Sequence, residues 1–242
     1  MEKKLQDKVA VVTGASRGIG RAVAIALARE GATIIAAARD YAKLQETKQL
    51  VESAGGQAVI VTFELTEENS IRKLVDTVND MFGHLDILIN NAGITLSASL
   101  EKTTSSDWDR VLATNARGPF LLCRDAITLL KKSSQGVIVN ISSVVGVKGY
   151  PYQIAYTASK HALRGMSIAL AEELKDTPIR VHVICPGGVN TEMVGHVRPD
   201  IKKDELIHPE EIAELVRYLV MHVGNAVVDE IRLRRKTSGP WF

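Results

Sequence analysis

Cysteine is nearly absent: Cys123 and Cys185 are the only two in 242 residues. They lie far apart in apolar surroundings, with no CxxC or Cys/His ligand spacing. That excludes a disulfide-stapled scaffold and suits packing residues in a reducing compartment. An excess of one charge sign is also missing, because 30 Lys and Arg face 28 Asp and Glu. A net charge of +2 gives no field that would argue for nucleic acid or a membrane surface as partner. No apolar run approaches spanning length, and the charged start, Met1 to Lys8, lacks the apolar stretch of a signal peptide. The expected location is cytoplasmic. Histidines 84, 161, 182, 196, 208 and 222 show no paired ligand spacing, so no catalytic metal is expected. Internal repeats, low-complexity tracts and Pro/Gly-rich linkers are missing as well. What remains is a chain with 45% hydrophobic residues, read as one compact domain, 1–242, that acts on a small molecule.

Short β-branched runs recur at Val9 to Thr13, Thr33 to Ala37, Ala58 to Phe63, Leu85 to Asn90, Val137 to Ile141, Ile179 to Ile184 and Val227 to Leu233. Most read as strands buried on both faces. Helical patterns lie between them, as in Ile19, Val23, Ala26 and Leu27 ending at Gly31, and Ile71, Leu74, Val75 and Val78 before Gly83. This alternation predicts an α/β fold: a single-domain, Rossmann-like, doubly wound parallel sheet of about seven strands with helices on both faces. Ligands are then expected at the carboxyl ends of the strands. The polar segment 192–209 reads as a substrate lid, on which His196 is the one histidine worth testing against substrate. Trp108 and Met166 read as core residues.

The first strand runs into Thr13-Gly14-Ala15-Ser16-Arg17-Gly18-Ile19-Gly20, after which a helical pattern begins. Gly14 permits a tight turn, Gly18 lets backbone approach a pyrophosphate, Gly20 allows close helix packing, and the helix start offers free N–H groups to the anion. Further along, Tyr156 and Lys160 are four residues apart in a segment of helical composition and share one face. A free phenol titrates near 10, so lowering it by three units requires roughly 4 kcal/mol, and a nearby ammonium acts in that direction.

The Gly-x3-Gly-x-Gly spacing resembles the cofactor loop of the short-chain dehydrogenase/reductase family, in its compact single-domain branch. Other signatures follow in order: Asn90-Asn91-Ala92-Gly93, Asn115, Ser143, Tyr156-x3-Lys160, and Pro186-Gly187 with Thr191. The resemblance covers almost the whole chain and includes 3-oxoacyl-[acyl-carrier-protein] reductases. It implies hydride transfer between a nicotinamide and a carbonyl or alcohol, with Tyr156 as general acid/base and Lys160 also holding the nicotinamide ribose. It further implies that Ser143 steadies the reacting oxygen, that Asn115 holds a water in a proton relay to Lys160, and that Val189 and Thr191 contact the carboxamide. Strand alternation places Ser142, the competing candidate, on the opposite face from Ser143.

The family's NAD-preferring members carry an acid where this chain has Ala38. Arg39 follows, and Arg17 projects from the glycine loop; two guanidinium groups suit a 2′-phosphate, so the expected cofactor is NADP(H). Solvated surface arginines are the plainer alternative, and Asp40 could pair with Arg39. Glu64, before Leu65, stands where relatives commonly have an Asp that helps hold adenine. The helices after Asn115 and Tyr156 carry Phe120, Leu121, Ala162, Leu163, Met166 and Leu170. In relatives these helices form a dimer seam, which implies a homotetramer. The ending, Glu230 to Phe242, departs from the family in its basic residues, read as a solvated edge or, less simply, as an attraction for acidic substrates or a carrier protein. Beside a reductase of undefined substrate stand two alternatives: a 3-oxoacyl-[acyl-carrier-protein] reductase, and a non-catalytic cofactor-binding sensor or scaffold.

Overall fold

The computed structural model describes residues 3–197 and 201–240, without the side chain of residue 196. The expectation for His196 and the stretch 198–200 of the expected lid therefore lie outside the described residues. The chain alternates strand and helix. In order, it forms β1 (Val9–Thr13), α1 (Gly18–Arg29), β2 (Thr33–Ala38), α2 (Tyr41–Ser53), β3 (Gln57–Thr62), α3 (Glu68–Phe82) and β4 (Ile87–Asn90). Then come α4 (Ser105–Leu112), a π-helical turn (Ala113–Arg117), α5 (Gly118–Leu130), β5 (Gly136–Ile141), α6 (Ile154–Glu173), β6 (Ile179–Cys185), α7 (Glu192–Val197), α8 (Pro209–Met221) and β7 (Glu230–Arg232).

All strand pairs are parallel, in the order β3-β2-β1-β4-β5-β6-β7. This is the expected doubly wound sheet. Period-two alternation divides its side chains between two cores. Ala10 and Val12 of β1 join α1, α2 and α8 on one side, while Val9 and Val11 join α3 and α5 on the other. The chain winds outward from β1 to β3, then returns to place β4 beside β1. This reversal opens a crevice at the carboxyl ends of β1 and β4.

Two strands differ from expectation by more than a residue at an end, and one burial assignment differs as well. β4 begins at Ile87 rather than Leu85, because the Asp86 carboxylate takes the Val9 N–H at 2.9 Å where a ladder bond would otherwise form. β7 covers 230–232 of the expected 227–233; it is an edge strand, and Val227 is half exposed. Trp108 is not core: 39% of it is exposed on α4, which buries only Val111. Cys123 and Cys185 are both buried, as expected of packing residues. Among the described residues, no helix is long and apolar enough to cross a membrane.

Asp86 ties the sheet's amino ends together, accepting from Val9 N, Lys8 Nζ at 2.9 Å and Ser133 Oγ at 2.6 Å. Burial alone would raise its pKa, but these three donors hold the carboxyl below its ordinary range. With the folded pKa depressed, its stabilisation is complete above the unfolded value and disappears as pH falls through the folded one. Asp86→Ala should cost about 1–3 kcal/mol in urea unfolding at neutral pH and weaken the acid dependence of stability, with no effect at either pH contradicting this role.

Candidate active site

The carboxyl end of β1 turns sharply at Gly14 and opens α1 at Gly18, both at positive φ (66° and 54°). The loop is braced from behind. Arg21 donates to Ser16 O at 2.5 Å and to Thr47 Oγ1 at 3.0 Å, and Thr47 donates in turn to Ala15 O at 2.9 Å. No side chain caps the start of α1, so its first N–H groups face the crevice with their partial positive charge. A Cβ on Gly20 would run into the Gly14 carbonyl, and one on Gly18 would lie 3.0 Å from Thr191 Cγ2.

Thr13 closes the crevice floor. Its hydroxyl donates to Ile89 O at 3.1 Å and accepts from the N–H groups of Asn91 and Ala92, while Asn91 Nδ2 donates to Thr13 O at 2.9 Å. The resulting cleft has a volume of about 740 Å³; Gly14, Ser16 to Ile19, Arg39, Glu64, Leu65, Asn91 to Gly93, Pro186, Gly187, Val189 and Thr191 line it together with Tyr156 and Lys160. Gly20 lies behind the lining, packed on Gly14. Open helix N–H groups, a side-chain-free approach at the glycines and this volume fit a dinucleotide.

At the far end of the cleft, Arg39 Nη1 lies 3.6 Å from Glu64 Oε2. Asp40 does not pair with Arg39; it caps α2 by accepting from Lys43 N at 3.0 Å. Arg17 pairs with Glu192, whose other oxygen is 3.5 Å from Lys43 Nζ. Lys43 and Glu192 are cleft residues that the motifs did not reveal, since their positions depend on how α2 and α7 face each other. Glu64 also accepts from Thr66 N and Oγ1, at 3.1 and 3.0 Å.

Ser143, Tyr156, Lys160 and Asn115 converge at the other end. Ser143 follows β5 and shares a hydrogen bond with Tyr156. Ser142 faces away and donates to Lys160 O at 3.1 Å. Lys160 is only 4% exposed; its Nζ donates to Ile141 O at 2.9 Å and lies 5.9 Å from the centre of the Tyr156 ring. Asn115 sits on the π-helical turn, a local widening of the helix that re-aims a side chain. It accepts from Ile94 N at 2.9 Å and donates to Ile94 O at 2.8 Å and Ser159 Oγ at 3.0 Å, so it braces the segment after β4 against α6. Gly93 fits between Asn115 and Lys160, where a Cβ would lie 3.1 Å from Asn115 Oδ1 and 3.5 Å from Lys160 Nζ.

Burial pushes the Tyr156 phenol up to about 12, against the opposing hydrogen bond with Ser143. Burial also pulls the Lys160 ammonium down to about 8. The expected lowering of the phenol by its neighbour is thus outweighed by desolvation. Tyr156 is protonated at neutral pH.

The profile of short chain dehydrogenases matches residues 8–202. The chain belongs to the short-chain dehydrogenase family. Among curated short-chain dehydrogenase relatives, an oxidoreductase of Thermotoga maritima is 38% identical over 84% of this chain and 80% of its own length. The 3-oxoacyl-[acyl-carrier-protein] reductase FabG of the same organism is 33% identical over 94% of this chain and 96% of its own. Among solved structures, a metagenomic short-chain oxidoreductase in complex with NADP superposes with a TM-score of 0.84 at 33% identity, covering 96% of this chain and 99% of that one. An alcohol dehydrogenase from Thermococcus sibiricus complexed with 5-hydroxy-NADP does so at 0.89 and 29% identity, covering 97% and 99%. Short-chain dehydrogenases bind a nicotinamide cofactor. Gly20→Ala should weaken binding of that cofactor by about tenfold or more in a fluorescence titration, because the new Cβ displaces the Gly14 turn; unchanged affinity would contradict the role given to this packing.

Proposed function

We propose that this chain is an NADP(H)-dependent oxidoreductase that interconverts a carbonyl and an alcohol, with Tyr156 as general acid/base. One observation carries the reading. Ser143, Tyr156 and Gly187 line both the dinucleotide cleft and a second cavity of about 150 Å³, so the phenol and hydroxyl stand where two ligands meet. A bound nicotinamide supplies or accepts the hydride. Tyr156 donates its proton to the carbonyl oxygen in reduction and recovers it in alcohol oxidation. Ser143 donates a hydrogen bond to the same oxygen as negative charge develops. Lys160, a cation below about pH 8, favours the phenolate as the proton leaves and reaches the nicotinamide ribose. Asn115 holds the Ile94 segment against α6 and takes the relay role that the family resemblance implies.

NADP(H) is favoured by the absence of an acid at Ala38 and by Arg17, Arg39 and Lys43 lining that end of the cleft. The NADP-containing structures of relatives support the same choice. The chain, 1–242, works as one domain, and of the expected lid Met193, Val194, Val197 and Ile201 line the second cavity. It assembles as a homotetramer, which the exposed Phe120 on α5 and Ile168 on α6 support. Full-length similarity to FabG favours a second reading, a 3-oxoacyl-[acyl-carrier-protein] reductase, which turnover of acetoacetyl thioesters distinguishes. A sensor without turnover is disfavoured by the intact catalytic four.

Tyr156→Phe should lower kcat by about 10²- to 10⁴-fold while NADPH affinity stays within about twofold, and a well-folded, active Phe variant would overturn the assignment of the acid. Changing Arg17 and Arg39 together to Ala should reduce the NADPH-over-NADH ratio of kcat/KM by about tenfold or more; a wild-type preference for NADH would reject the cofactor choice.

A further inference from the structure

The second cavity has an uneven charge that catalysis does not explain. Lys148, Arg234 and Arg235 line it, and its described lining residues include no Asp or Glu. The rest of the wall is largely apolar, as at Val144 and Met193. The two arginines arrive by way of the chain ending. Leu233 N donates to Cys185 O at 3.1 Å and Gly187 N to Leu233 O at 2.9 Å, splicing the tail onto the end of β6. The Arg234 backbone thereby passes against Gly187, where a Cβ would lie 3.6 Å from Arg234 Cα. Pro186, just before, receives the Val144 N–H at 2.9 Å and the Ser143 hydroxyl at 3.5 Å. Arg234 and the proton-donating end thus flank one small space.

The two arginines are not equivalent. Arg235 faces Glu205 at 3.4 Å, which offsets its charge. Arg234 has no carboxylate partner among the described residues. Its Nη1 donates to the carbonyls of Arg235, Lys236 and Ser238, at 3.3, 3.4 and 2.8 Å, which fold the tail around the guanidinium without neutralising it. Nε and Nη2 make no hydrogen bond within the described residues, and a guanidinium presents such donors in the fork that matches a carboxylate.

We infer that Arg234 is a specificity-determining residue and that the substrate is a small carbonyl compound carrying a carboxylate, an oxo acid or the corresponding hydroxy acid. The inference rests on the oxidoreductase reading and names the substrate class for the same site. The carboxylate meets Arg234, while the carbonyl points to Tyr156 and Ser143. The volume of about 150 Å³ is of the order that holds a benzene-sized molecule. A short apolar spacer between the two ends fits the wall.

The test is calorimetric binding to the full chain saturated with NADP⁺, where no hydride is available to reduce a ketone. The probes are acetoacetate and levulinate, each beside its methyl ester, with dihydroxyacetone phosphate as the phosphate-bearing ketone. At least one acid should bind about tenfold or more tightly than its ester, and Arg234→Gln should abolish that difference while leaving ester and NADP⁺ affinities within about twofold. Arg234→Lys should retain part of it. Equal binding of acid and ester by the wild type would overturn the inference, as would an acid preference that survives Arg234→Gln. Tighter binding of the phosphate alone would overturn the carboxylate assignment. Because the wild-type acid-to-ester ratio is decisive by itself, a poorly folding Gln variant does not protect the proposal. Acid-selective binding without turnover of any ketone by NADPH would sink the oxidoreductase reading and leave this inference standing; turnover of ketones with equal acid and ester binding would do the reverse.

Discussion

An ammonium group withdrawn from water beside the carboxyl end of β5 is the constraint around which the site is arranged. A buried charge is costly unless a polar partner is fixed in place, and Lys160 meets this cost through the Ile141 carbonyl. That bond sets the height of α6 on the sheet. Ser142 repeats it from the other direction by donating to Lys160 O. Deeper down, Asn140 donates to Ser167 at 2.8 Å and accepts from Asn90 at 2.8 Å, so β4, β5 and α6 share one buried polar row. Apolar packing alone would tolerate small slides of a helix over a sheet; directional bonds in a low-dielectric interior do not. Tyr156, one helical turn before Lys160, is consequently held at a defined position beside Ser143.

The same sheet direction explains why the two cavities abut. The parallel strands present their carboxyl ends on one side, and the reversal between β1 and β4 opens the dinucleotide cleft there. The loops after β5 and β6 supply Ser143 and Gly187, which belong to both spaces. The site is therefore a boundary between two cavities, and the buried phenol on that boundary remains protonated at neutral pH. The tail beyond β7 completes the second space, adding Arg234 and Arg235 to a wall that Lys148 also lines.

Much of this was legible in the residues. The glycine loop could be placed because a buried strand precedes it and a helical pattern follows; Ser143 could be chosen over Ser142 because the family resemblance points to it, with strand alternation setting the two on opposite faces. The four-residue separation of Tyr156 and Lys160 needed only a helix. What could not be read depends on distant segments meeting. Glu192 facing Arg17, Glu205 facing Arg235 and the approach of Arg234 to Gly187 are loop and tail contacts with no local pattern. Trp108 was misplaced because a large aromatic is usually buried, whereas α4 is a short helix that docks through Val111. The direction of the Tyr156 shift was missed because a neighbouring cation is visible in sequence and desolvation is not.

The pH dependence of kcat/KM for ketone reduction addresses the buried ammonium most directly. In the proposed mechanism, reduction requires Tyr156 protonated, which holds below about pH 12, and Lys160 charged, which holds below about pH 8. The profile should be level through neutrality and fall above about pH 8 with a slope approaching tenfold per unit as the cation is lost. A profile that remains level well into the range of an ordinary lysine, near pH 10, would contradict the account.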